Sequence, residues 1–84
     1  MARRSRTRVI MDILTEALNG ANKTRIMYRA NLNFLRFNCY LSEMLESGLL
    51  KKTNQESGMI VYQLTQEGRD LLKTLRRAQE FISI

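Results

Sequence analysis

The stretch Lys23-Thr24-Arg25-Ile26-Met27-Tyr28-Arg29-Ala30-Asn31-Leu32-Asn33-Phe34-Leu35-Arg36-Phe37-Asn38-Cys39-Tyr40-Leu41-Ser42-Glu43-Met44-Leu45-Glu46-Ser47-Gly48-Leu49-Leu50 holds two helical patterns separated by a short polar turn. Asn22 can cap the first, Lys23 to Ala30, whose Ile26 and Met27 face inward. Asn31-Leu32-Asn33 is the turn. Asn33 can accept a hydrogen bond from a free backbone N–H of the second helix. Leu32 before it is spaced to pack on Phe37, four residues past the cap. Through Ser47 the inward face reads Phe34, Phe37, Leu41, Met44 and Leu45, and Gly48 can take the left-handed conformation that ends the helix.

Working outward, Ser5 or Arg6 to Leu18 reads as an earlier helix. At 100° per residue Ile10, Ile13, Leu14, Ala17 and Leu18 fall on one face and Asp12, Thr15 and Glu16 on the other. Asn19-Gly20 stops it. Downstream, Leu49 to Thr53 and Met59 to Leu64 read as paired strands around Asn54-Gln55-Glu56-Ser57-Gly58, and Thr65 caps a last helix reaching to about Ile82. The chain shows no repeat or linker. The expected fold is therefore α+β, a single domain over residues 1–84: a three-helix core, a two-stranded β-hairpin and a C-terminal helix. That order is the winged helix-turn-helix, in which the second helix of the pair enters the DNA major groove and the hairpin closes on the backbone beside it. Residues 1–5 are expected to form a flexible basic arm, and 66–82 a helix able to dimerise.

Composition excludes most other chemistry. With 84 residues the chain can bury only one modest core, which dimerisation would support. The single Cys39 rules out an internal disulfide and suits a reducing compartment. With no histidine, neither a zinc cluster nor an obvious general base is available. The run Val9 to Leu18 is interrupted by Asp12 and Glu16, so it reads neither as a signal peptide nor as a membrane span, and a cytoplasmic, nucleoid-associated chain is expected. The acidic pairs Asp12/Glu16, Glu43/Glu46 and Glu67/Asp70 read as solvated helix surface. No active site, metal, cofactor or small-molecule ligand is expected.

The net charge of +6 is unevenly placed. Residues 1–36 carry Arg3, Arg4, Arg6, Arg8, Lys23, Arg25, Arg29 and Arg36 against only Asp12 and Glu16, whereas basic and acidic residues balance over the remainder. Such asymmetry points to a polyanion, and with the winged helix-turn-helix order the expected partner is double-stranded DNA. An acidic protein partner for the same basic face is the alternative. RNA is disfavoured, because no stacking-aromatic platform is evident. On the third helix the two glutamates occupy the C-terminal half, so reading falls to Asn33, Leu35, Arg36 and Cys39, with Tyr40 on the flank. Arg36 suits a bidentate contact to guanine, and Leu35 an apolar contact to a thymine methyl. Lys23, Thr24, Arg25, Tyr28 and Arg29 are expected to hold phosphates, as are Lys51, Lys52, Asn54 and Gln55 from the wing. Arg3, Arg4 and Arg6 are expected to follow the backbone or enter a narrow minor groove.

The run Lys23 to Asn33, then Tyr40-Leu41 to Gly48-Leu49-Leu50, then Tyr62-Gln63-Leu64-Thr65-Gln66-Glu67-Gly68, resembles the archaeal winged-helix DNA-binding proteins of the Sulfolobus chromatin-associated type. The resemblance covers most of the chain and implies an archaeal transcription regulator or DNA-organising protein that binds duplex DNA as a dimer. That family continues its last helix into a long antiparallel coiled coil, which this sequence, ending at Ile84, does not carry. The last helix does carry a seam, Leu71, Leu75, Ala78 and Ile82 at 4-3-4 spacing. The seam either joins two copies into a homodimer or covers the domain's own core.

Overall fold

The computed structural model describes residues 4–82. The chain runs α1 (Arg6–Ala17), α2 (Lys23–Arg29), α3 (Phe34–Glu46), β1 (Leu50–Asn54), β2 (Ile60–Leu64) and α4 (Gln66–Ile82). Each helix begins where a short polar side chain satisfies a free backbone N–H. Ser5 accepts from Arg8 N at 3.1 Å, Asn22 from Arg25 N at 2.8 Å, Asn33 from Arg36 N at 2.8 Å, and Thr65 from Gly68 N at 3.0 Å. Helices α2 and α3 end alike. Asn31 (φ 56°) and Gly48 (φ 76°) are left-handed, and the next residue's N–H reaches back, Leu32 to Met27 O at 3.2 Å and Leu49 to Met44 O at 2.9 Å. These two Schellman ends set the angles at which α3 leaves α2 and β1 leaves α3.

The core lies where α1, α2, α3 and the hairpin meet: Val9, Ile13, Leu14, Ala17, Ile26, Ala30, Phe37, Leu41, Met44, Leu50, Tyr62, Leu64 and Leu72, with Leu32 packed against it. Burial of each large apolar side chain contributes about 1.5–3 kcal/mol. Helix α1 contacts α2, β2 and α4. Because it is flanked on several sides, its buried stripe is wider than the expected face and includes Val9 and Met11, while Ile10 and Leu18 sit at the margin.

β1 and β2 pair antiparallel with Leu50 opposite Leu64 and Lys52 opposite Tyr62. The strands begin one residue later than expected, at Leu50 and Ile60. Gln55 N bonds Met59 O at 2.7 Å to close the turn. A third element, unforeseen in the sequence, joins the hairpin at one point. Ala21 N donates to Tyr62 O at 3.0 Å and Tyr62 N to Ala21 O at 2.8 Å, tying the α1–α2 connection to the wing.

Candidate nucleic-acid interface

Helix α3 turns Phe37, Tyr40, Leu41 and Met44 into the core, which leaves Leu35, Arg36, Cys39, Glu43 and Glu46 outward. Asn33, Leu35, Arg36 and Cys39 thus share the exposed N-terminal half of the helix, as the helical wheel requires. Arg36, Cys39, Tyr40, Glu43 and Arg6 line a shallow cavity of about 180 Å³.

Two expected positions on this helix are corrected. Phe34 is not a core residue: it is 60% exposed, because the first turn of α3 projects beyond the elements that cover the rest of its inner face. The Lys23 ammonium sits 5.4 Å from its ring centroid. Tyr40, expected to flank the groove, is only 9% exposed and packs in the core, its ring 5.4 Å from the Arg6 guanidinium.

Arg6 also departs from the expected mobile arm. It is the first residue of α1, and its guanidinium hydrogen-bonds and ion-pairs with Glu43 of α3. That hydrogen bond and the Glu43 charge hold the Arg6 pKa above its ordinary value. Glu43 therefore meets an approaching phosphate with its charge offset. Arg4 reaches Asp12 Oδ2 at 2.8 Å and donates to Asn31 O at 3.1 Å, bridging α1 to the α2–α3 turn. Arg8 also pairs with Asp12, at 3.4 Å. Arg3 lies outside the described residues.

On α2, Tyr28 is 81% exposed and lines an open groove with Thr24, Arg29 and Asn31. Arg25 turns toward Glu16 of α1, 3.9 Å away. On the wing, Lys51, Lys52, Asn54 and Gln55 are all exposed, but Lys51 and Lys52 are not equivalent. Neighbouring strand residues point to opposite faces, so Lys52 shares its face with Tyr62 and Lys51 with Gln63. Among the described residues, Lys23, Arg29, Arg36, Lys51 and Lys52 form no ion pair; Lys23, beside Phe34, and Arg36, in the first turn, bring positive charge to the exposed start of α3.

The α4 seam is divided. Leu71 packs on the core, Leu75, Ala78 and Ile82 line a groove of about 240 Å³ with Ser5 and Thr7, and Ile82 is 73% exposed. Arg76 Nη2 reaches Thr15 Oγ1 at 3.4 Å and helps hold α4 along α1. Among the described residues no helix is long and apolar enough to cross a membrane.

Comparison with known proteins agrees with this architecture. The family described as winged helix-turn-helix matches residues 3–83. Two uncharacterized proteins of Methanocaldococcus jannaschii are similar. One is 33% identical over 82 residues, covering 96% of this chain and 79% of its own length. The other is 32% identical over 81 residues, covering 95% of this chain and 36% of its own length. Among solved structures, Sso10a-2, a DNA-binding protein from Sulfolobus solfataricus, superposes with a TM-score of 0.79 at 22% identity, over 93% of this chain and 81% of that one. The PcaV transcriptional regulator from Streptomyces coelicolor gives 0.69 at 22% identity, over 96% of this chain and 62% of its own. The repressor CouR, bound to a DNA duplex, gives 0.68 at 19% identity, over 96% and 65%. The chain thus spans somewhat under two thirds of those two regulators, and what it shares with all three is the fold.

Proposed function

The chain belongs to the winged helix-turn-helix family, and from that premise we propose that it binds double-stranded DNA sequence-specifically as a homodimer and serves as an archaeal transcriptional regulator in the nucleoid. The observation that carries this reading is the exposed start of α3, where Asn33, Leu35, Arg36 and Cys39 lie together, with Lys23 beside Phe34, and where Lys23 and Arg36 form no ion pair among the described residues. Arg36 reads a base edge. Lys23, Thr24, Tyr28 and Arg29 hold one stretch of backbone, and Lys51, Lys52, Asn54 and Gln55 another. Arg4, Arg6 and Arg25 contribute less, since Asp12, Glu43 and Glu16 offset their charge. No catalytic step is assigned.

The direct test is titration with random-sequence duplex across a salt series. The expected log–log slope is roughly −4 to −8 per dimer, about −0.9 for each phosphate neutralised. An affinity that does not move with salt would overturn DNA binding and favour an acidic protein partner.

Reading and anchoring separate by mutation. Arg36→Ala is expected to lose about 1–3 kcal/mol on the preferred site and little on random duplex. Lys51→Ala and Lys52→Ala should weaken all sequences alike, and unequally to one another because the two side chains leave opposite faces of the hairpin. Equal loss from Arg36→Ala on preferred and random DNA would show that Arg36 holds phosphate.

A further inference from the structure

We propose that Phe34 and Leu35 form an apolar reading contact for the C5-methyl groups of thymine in the major groove, an assignment that rests on the DNA-binding reading above and makes it chemically specific. The two are the first residues of α3, next to its cap Asn33, and they are 60% and 76% exposed. The core makes little use of either, since α3 buries Phe37, Tyr40, Leu41 and Met44 instead. What surrounds them decides the occupant. Lys23 lies over the Phe34 ring at 5.4 Å and Arg36 follows directly in sequence, so the apolar pair sits within a cationic rim.

A protein partner would have to desolvate those cations beside its apolar anchor, and charge is depleted in the centres of such interfaces. Duplex DNA offers the complementary arrangement. Phosphates line the groove edges where Lys23 and Arg36 can reach, and the thymine methyl is the one apolar group displayed on the base edges between them. Phe34 thus leaves the core and joins the reading set, and the site prefers pyrimidine positions that carry a methyl.

The test uses unaltered protein and two duplexes of about two helical turns, roughly 20–21 base pairs. One is alternating dA and dT, and the other has every thymine replaced by uracil. That exchange removes only the methyl groups. Burial of one methyl-sized group corresponds to about fourfold in affinity, so contact with two predicts about fifteenfold weaker binding to the uracil duplex. In a Phe34→Ser, Leu35→Ser double variant the ratio should fall to near one, while the salt slope, set by phosphate contacts, stays unchanged. Equal binding of both duplexes by unaltered protein would overturn the proposal and leave DNA binding standing. A variant that keeps the full ratio would also overturn it, by moving the methyl contact to other residues. Failure to bind any duplex would overturn the DNA-binding reading itself.

Discussion

Gly68→Ala is expected to lower the melting temperature by about 5–20 °C, the equivalent of about 1–3 kcal/mol of overpacking in a domain of this size. Gly68 is buried in the first turn of α4, against the corner where α3 gives way to β1. A Cβ there would stand 2.1 Å from Leu49 O, 3.1 Å from Leu49 C and 3.3 Å from Leu64 Cδ2. The carbonyl cannot easily withdraw. It accepts from Thr65 N at 3.1 Å, while Leu49 N is bonded to Met44 O and Thr65 Oγ1 donates to Gly48 O at 2.5 Å. The sign is diagnostic, because replacing glycine by alanine inside a helix ordinarily stabilises by roughly 0.5–1 kcal/mol. Thermal unfolding followed by circular dichroism decides it. An unchanged or raised midpoint would mean that the corner yields and that α4 is held on the core by its leucines alone.

The helix starts and the hairpin were legible because their causes are local. Asn22, Asn33 and Thr65 each bond an N–H three residues on, and the left-handed turn at Gly48 needs only its own backbone. The winged helix-turn-helix order followed from the same signals, and the family match over residues 3–83 bears it out. The misplaced residues share a different cause. A helical wheel says which side chains share a face, but not how far a neighbouring element extends over that face. Phe34 overhangs the core at the start of α3, whereas Val9 is enclosed because several elements press on α1. The Arg6–Glu43 pair joins residues 37 apart in sequence, and the Ala21–Tyr62 bridge is a single residue with no alternation to read.

Ile82→Glu is expected to convert a dimer into a monomer with unchanged helical content, and to weaken binding to a two-half-site duplex by roughly 10²–10⁴-fold, since the second contact is then no longer intramolecular. The seam on α4 is used unequally within one chain. Leu71 is committed to the core and Leu75 is half-buried in the groove beside Ser5 and Thr7, whereas Ile82, on the same groove, is 73% exposed and its neighbour Phe81 94%. Large apolar side chains left open at the far end of an otherwise charged helix suit a two-fold contact in which each helix covers the other's end. Leu75→Glu should also dissociate the dimer, but at a cost to the monomer, because Leu75 is half-buried in its own chain. The exposed position is therefore the cleaner probe. The paired reading helices would meet half-sites one turn apart, ~34–36 Å, or a multiple of that distance. Sedimentation at micromolar concentration checks the interface first. A monomeric unaltered protein, or a dimer indifferent to both substitutions, would remove α4 from the contact. If Ile82→Glu were monomeric but bound the two-half-site duplex as tightly as the unaltered chain, one domain would be sufficient for recognition and the half-site spacing would carry no information.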